Sequence, residues 1–518
     1  MERYDLISPL EAKTTIPKPL DLNYQRGKGI ENPAPHFTEH LRAEVKEILA
    51  EMADEEAESY NLYKDGLRIE TTINANMQQY ARSAVQSVLS RLQEQFDHHW
   101  QGGRLLSEDD PAIRRAWHQS ERYRSMKQQN ASEEEIETAF DEPVPTTIRT
   151  WQGEKDTTIS PRDSIMHHYT MLQSGLFAMD RQSGKVLTWV GGHDYRYFKY
   201  DQVKAKQQPA SAFKPFVFAG ALENGVEPCD YYRNIRTTYT DFDNWTPGNI
   251  QDHEYEGRFS VRAALAQSLN TVTVQILQDT GTDAVLNIAN KTGVNLSHEQ
   301  HPSLALGTGQ THLKELTTAY SAFANEGKII EPYYIEVIYN ESGEKIYENP
   351  RSTEGKQVLD RETAAAVTDM LRLAVEEGTG SRLKNYYDGE VAGKTGTTQN
   401  NAQGWFIGYT PDIIFGTRTG GMDNRIRFRS SALGSGSNTA LPIAGHFLNA
   451  IENAPQINLS SEKLYPRFKN EWQCDHKKDD RFFDRVRDFF RGDEPKEETF
   501  HEEDDEDKSI LDPRGWFD

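Results

Sequence analysis

Apolar residues along the chain alternate between two periods, and the switches between them mark its elements. Gly66 to Ile73 alternates and is rich in β-branched residues, which predicts a strand. Asn74 can cap the helix that follows, reaching about Trp100, because Met77, Tyr80, Ala81, Ala84, Val85, Val88 and Leu89 recur at three and four residues. Ser174 to Gly192 predicts a hairpin turning at Ser183-Gly184, and Tyr334 to Tyr347 a second one around Ser342-Gly343. Helical patterns lie between, over Phe213 to Leu222, Val261 to Gln278, Leu313 to Gly327 and Arg361 to Glu377. Two short strands follow, Trp405 to Thr410 and Ile413 to Arg418. A hairpin, a helical block and then strands again predict an α+β fold, an antiparallel sheet flanked by helices.

The flanks differ from this centre. Ile16-Pro17-Lys18-Pro19-Leu20 predicts an extended linker, and His36 to Ala57 a charged amphipathic helix. Residues from about 101 to 150 are polar and predict surface helices inserted ahead of the Ser174 hairpin. Four regions result: a linker at 1–60, a subdomain with that insertion at 61–172, the main domain at 173–452, and an extension at 453–518.

The chain has 518 residues, 36% of them hydrophobic, and a net charge of -23. Mean hydropathy is -0.78, and no apolar run nears the ~18 residues of a membrane span. The acidic balance argues against a nucleic-acid partner, which needs clustered Lys and Arg. Ten of the acids lie between Asp493 and Asp507, in the manner of a solvated tail. Cys229 and Cys474 make neither a disulfide framework nor a zinc pattern, so they are expected to be buried or incidental thiols.

Three short motifs carry candidate chemistry. In Ser211-Ala212-Phe213-Lys214 the lysine stands one helical turn from the serine and can take the proton that a hydroxyl nucleophile must lose. Pro215 works against this by disfavouring an α conformation at Lys214. In Ser268-Leu269-Asn270 the serine can relay a proton and the amide can hold a peptide or Lys214. In Lys394-Thr395-Gly396-Thr397-Thr398 small residues on an edge strand admit a ligand to the backbone, and the threonines can bind a carboxylate beside the lysine. A phosphate loop is the competing reading of Gly393-Lys394-Thr395, but it needs an earlier glycine where Tyr387-Asp388 stand. Each motif alone is a weak signal.

Their order is not. The set resembles the S-x-x-K, S-x-N and K-T-G signature of penicillin-binding proteins and serine β-lactamases. Gln208 to Phe216 and the Leu304 to Thr308 and Ala319 to Gly327 blocks are similar to stretches of the family, and Gly66 to Ile73 with Met77 to Ala81 resembles a stretch of its class A, bifunctional members. The resemblance implies a transpeptidase fold of the penicillin-binding/β-lactamase type. It implies Ser211 as acylated nucleophile, Lys214 as its base, Ser268 as proton relay, and Asn270 as partner of substrate and lysine. Lys394, Thr395, Gly396, Thr397 and Thr398 would bind the donor's carboxylate, and the amides of Ser211 and Thr397 would form an oxyanion hole. The implied partners are peptidoglycan stem peptides and β-lactams, with no cofactor and no metal.

Departures are Ala210 and Ala212, where the family has Gly and Thr, and Ala402-Gln403, where a Ser-Asp pair often precedes Gly-Trp-Phe. Residues 1–60 match the region that follows a glycosyltransferase domain in class A proteins. The expectation is therefore a chain lacking that domain and its membrane anchor, from a protein at the periplasmic face of the inner membrane. The competing functions are a carboxypeptidase or β-lactamase and a non-catalytic penicillin sensor. For the first, Glu336 and Asn340 match a deacylating E-x-x-x-N string, but on a predicted strand.

Overall fold

The computed structural model describes residues 32–459, apart from 57–58, 102–104, 108, 251–254, 256, 297–300 and 351–353, together with residues 8, 13, 463–464 and 472–478. The extended linker expected at Ile16 to Leu20 and the acidic tail at Asp493 to Asp507 lie outside these residues.

Five antiparallel strands form the central sheet: β1 (Gln173–Asp180), β2 (Val186–Val190), β3 (Ala392–Thr397), β4 (Gln403–Tyr409) and β5 (Ile413–Gly420), in the order β3-β4-β5-β1-β2. The β1–β2 hairpin turns where expected, with Gly184 at φ 77°. β5 closes the sheet by pairing with β1 over its whole length, Ile413 opposite Asp180 and Gly420 opposite Gln173. Period two then sorts the side chains into two cores. Trp405, Ile407 and Tyr409 face one side of β4, and Phe406 faces the other.

The Phe406 side is covered by α1 (Ala75–His99) and α6 (Ala440–Glu452). Asn74 caps α1 by accepting from the amides of Asn76 and Met77, and Val85, Val88 and Leu92 form its buried stripe. The other side carries the helical block: α2 (Lys214–Glu223), α3 (Val261–Ala266), α4 (Asn270–Thr280) and α5 (Arg361–Glu376). At ~25 cal/mol per Å², each fully buried Phe or Leu contributes about 2 kcal/mol, and both faces of the sheet are filled with them. Edge strand β3 therefore lies where sheet meets helical block, and this seam holds the motifs.

The linker strand Arg68–Thr71 joins the second predicted hairpin, Ile335–Tyr339 and Lys345–Glu348, as a third antiparallel strand. The stretch read as a polar insertion folds as helices Pro111–Gln119, Glu121–Gln128 and Glu133–Asp141 and the hairpin Val144–Thr150/Gly153–Ile159. Trp117, Ile136 and Phe140 give it a small core of its own. That hairpin gives no apolar alternation to read, because Ile148 is its one buried residue and most of its other positions are polar.

Two expectations need correction. The helix read as continuous from Val261 to Gln278 breaks at Gln267 to Leu269, with Ser268 left-handed at φ 61°. The two cysteines are bonded to each other across 245 residues, their Cα atoms 5.8 Å apart. The chain returns because Lys477–Lys478 pairs with Arg258–Phe259, and Trp472 is buried against Ala365 and Ala366. Spacing along the sequence carries no trace of that return. Among the described residues no helix is long and apolar enough to cross a membrane.

Candidate active site

The nucleophile motif folds as one 3-10 turn, Ala210–Phe213, running directly into α2. The conflict at Pro215 resolves at this junction. Lys214 is α-helical (φ -52°, ψ -36°), and Pro215 occupies the first turn of α2, where its missing N–H loses no helical bond. Ala210 is left-handed at φ 50°, and its N–H donates to the Gly307 carbonyl at 3.2 Å. The family's glycine would take this conformation freely; an alanine is strained there by about 1 kcal/mol, so the substitution is not neutral in its backbone. The buried Tyr320 hydroxyl donates to the Ala212 carbonyl at 2.6 Å and holds the turn from beneath.

Ser268 occupies the left-handed position after α3, where a glycine or asparagine is usual. A strained backbone at this point turns the serine and Asn270 towards Lys214. The ammonium-bearing atom Nζ of Lys214 lies 2.7 Å from the Ser268 carbonyl, 2.7 Å from Asn270 Oδ1 and 3.3 Å from Ser268 Oγ. The side chain is fully buried. Burial, and then the positive charge of Lys394, push its pKa well below the ordinary lysine range. Its two closest partners, a peptide carbonyl and an amide oxygen, only accept. A neutral amine gives them its two N–H groups and keeps its lone pair for a proton.

β3 supplies the third motif. Lys394 is fully buried, and desolvation lowers its pKa to about 7. Its Nζ donates to the Thr395 carbonyl at 3.2 Å and approaches Thr379 Oγ1 at 3.5 Å. Thr395 donates to Thr379 Oγ1 at 2.6 Å, and Thr397 Oγ1 accepts from the Gly436 amide at 2.9 Å. Gly396 works by lacking a side chain. A Cβ there would stand 2.4 Å from the Pro209 carbonyl oxygen and 3.1 Å from the Ala212 amide, so the glycine sets how closely β3 meets the nucleophile turn.

Ser211, Ser268, Thr395 and Thr397 line one cleft of about 740 Å³. Thr398 does not join them. Its amide donates to the Gln403 carbonyl and its hydroxyl accepts from the Gln403 amide at 2.8 Å, closing the turn from β3 to β4. Thr379, Ser437 and Asn249, which the motif search missed, do line the cleft. Small-residue runs, Gly378-Thr379-Gly380 and Gly434-Ser435-Gly436-Ser437, were the available signal for the first two.

Two other sequence features find their places. Gln403, standing for the missing carboxylate, is buried and accepts from Arg418 Nε at 3.1 Å and Nη2 at 2.8 Å. Burial lowers the Arg418 pKa to about 10. Glu336 lies on the hairpin strand as predicted, bonds Lys185 Nζ at 2.5 Å and is not among the residues that line the cleft.

Residues 175–416 match the penicillin-binding protein transpeptidase domain, and residues 99–172 the penicillin-binding protein middle domain. Penicillin-binding protein 1A of Aquifex aeolicus is 36% identical over 276 residues, 52% of this chain and 37% of that protein. Penicillin-binding protein 2D of Bacillus subtilis is 33% identical over 260 residues, 48% of this chain and 37% of that protein. The chain thus spans well under half the length of these relatives. In fold it is similar to the crystal structure of penicillin-binding protein 1A from Haemophilus influenzae, with a TM-score of 0.61 at 21% identity over 89% of this chain and 75% of the other. The penicillin-binding protein PonA1 from Mycobacterium tuberculosis aligns with a TM-score of 0.54 at 17% identity, over 80% of this chain and 92% of the other. Motifs, fold and relatives agree that the chain belongs to the penicillin-binding proteins and carries the transpeptidase region of a class A member.

Proposed function

We propose that the chain is a D-Ala-D-Ala transpeptidase that cross-links peptidoglycan stem peptides through an acyl-enzyme on Ser211, and that β-lactams acylate the same serine. The observation that carries this reading is the buried Lys214, its amine held by two acceptor-only oxygens at 2.7 Å in the turn that bears Ser211. The Ser211 hydroxyl attacks the penultimate D-Ala carbonyl and gives its proton to Lys214. The peptide C–N bond breaks, the proton passes through Ser268 to the departing D-Ala amine, and the acyl group stays on Ser211. An amine from a second stem peptide attacks the ester, gives up a proton and restores the serine. Lys394, Thr395 and Thr397 bind the donor's terminal carboxylate, and the amides of Ser211 and Thr397 stabilise the oxyanion, each such donor being worth about 3 kcal/mol.

The Cys229–Cys474 bond favours an oxidising compartment, in keeping with work outside the cytoplasmic membrane. The hydrolytic reading is disfavoured, since in the E-x-x-x-N string that lies between the second and third motifs Glu336 bonds Lys185 and is not among the residues that line the cleft.

Labelling with fluorescent penicillin tests the site: wild type should label and Ser211→Ala should not. Equal labelling of both, or of neither, overturns the assignment. Cross-linking of lipid-linked precursor supplied with a partner glycosyltransferase tests the reaction; rapid turnover of a chromogenic β-lactam would instead make the protein a hydrolase.

A further inference from the structure

The helix that begins at Asn270 starts badly by its own means. Leu269 holds the N-cap position and offers no side-chain acceptor to the first amides of α4. A loop 20 residues earlier supplies it. Asn249 Oδ1 accepts from the Asn270 amide at 2.8 Å and from the Thr271 amide at 3.3 Å. Asn249 is itself fixed, since its Nδ2 donates at 2.9 Å to Asn234 Oδ1, a buried atom that also accepts from the Thr271 hydroxyl at 2.6 Å. Its backbone amide donates to the Tyr255 hydroxyl at 3.1 Å.

The residue before it acts on the catalytic side chain. Asn270 Nδ2 donates to the Gly248 carbonyl at 2.7 Å, while Asn270 Oδ1 faces Lys214 Nζ at 2.7 Å. These two contacts fix the amide's orientation. A flipped amide would set its oxygen against the Gly248 oxygen, and would turn an N–H donor on Lys214. A neutral lysine would then spend its lone pair accepting from Asn270, and the base would be occupied.

We infer that the Gly248-Asn249 turn is a positioning device for the Ser268-Asn270 motif: Asn249 caps α4, the Gly248 carbonyl orients the Asn270 amide, and together they aim the Lys214 lone pair at the hydroxyl it deprotonates. The inference rests on the acyl-enzyme reading above. The turn touches no reacting atom, so Asn249 is a positioning residue. The charged group acting on Lys214 is Lys394 from β3, and the side chains bonded to it, Ser268 and Asn270, are neutral.

The test compares wild type, Asn249→Ala and Asn249→Asp for the second-order rate of Ser211 acylation by benzylpenicillin from pH 6 to 9.5, with a thermal melt of each. Asn249→Ala should lose both amide bonds and acylate roughly tenfold more slowly. Asn249→Asp keeps the accepting oxygen but loses the bond that Asn249 Nδ2 gives to Asn234 Oδ1, so it should restore part of the rate that the alanine variant loses. Its carboxylate, one residue contact from Lys214, should also move the rising limb of the pH profile upward. An alanine variant that melts earlier yet acylates at the wild-type rate with an unmoved profile would make Asn249 a structural cap only, and sink the inference. So would an aspartate variant as slow as the alanine one. A wild type that benzylpenicillin does not acylate at any pH would sink the acyl-enzyme reading itself, and this inference with it.

Discussion

Replacing Gly396 by alanine should separate the position of the active-site strand from the stability of the protein. The added Cβ would stand 2.4 Å from the Pro209 carbonyl oxygen, 3.1 Å from the Ala212 amide and 3.1 Å from Trp405 Cβ. The first two are backbone atoms, so no side-chain rotation relieves them. The Gly396 oxygen also faces Gly436, 2.2 Å from where a Cβ on that glycine would be, so the strand is packed closely there as well. β3 must therefore back away from the nucleophile turn by about 1 Å to reach an ordinary C···O contact. Overpacking of this kind costs about 1–3 kcal/mol of stability. A displacement of that size at reacting groups lowers the rate by about 100-fold. The assay is the second-order rate of labelling by fluorescent penicillin beside a melting curve. Gly343→Ala is the control: it sits at φ 81° with nothing within 4 Å of its Cβ, on the hairpin away from the cleft. It should lower the melting temperature and leave labelling unchanged. Wild-type labelling by Gly396→Ala would refute the claim that this glycine sets the approach of β3 to Ser211.

Three further outcomes are expected. Lys394 has a folded pKa of about 7 against 10.5 unfolded, so the unfolded chain binds more protons between these values and stability should rise with pH from 7 to about 9.5, by about 1 kcal/mol per pH unit; Lys394→Met should flatten that slope in denaturant titrations, whereas an unchanged slope would place the charge elsewhere. Cys229 and Cys474 should give no free thiol in denaturant until reduced, and Cys474→Ser should cost about 2–4 kcal/mol by releasing residues 472–478 from Phe259 and α5; thiol titration and a melt check both. Ala210→Gly should remove left-handed strain and raise stability by up to about 1 kcal/mol, and a lower melting temperature would mean that the strain is absent.

The sequence by itself determined the local and the periodic. Asn74 and the three- and four-residue spacing after it placed α1, and alternation placed the β1–β2 hairpin, because caps, turns and amphipathic faces are encoded within a few residues. The order of Ser211, Lys214, Ser268, Asn270 and Lys394 marked the candidate site, since the proposed acyl transfer, needing a nucleophile, a base and a carboxylate pocket, constrains residue types wherever they fall. Only the tertiary structure decided what depends on distant neighbours. It set Ser268 in a left-handed break that polar residues in an apolar run did not announce. It paired Cys229 with Cys474 across 245 residues, and turned Thr398 away into the β3–β4 turn. It also lowered the proton affinity of Lys214: a lysine holds its proton less tightly when burial strips its water and another buried cation stands nearby, and neither condition exists until α2, α4 and β3 close around it.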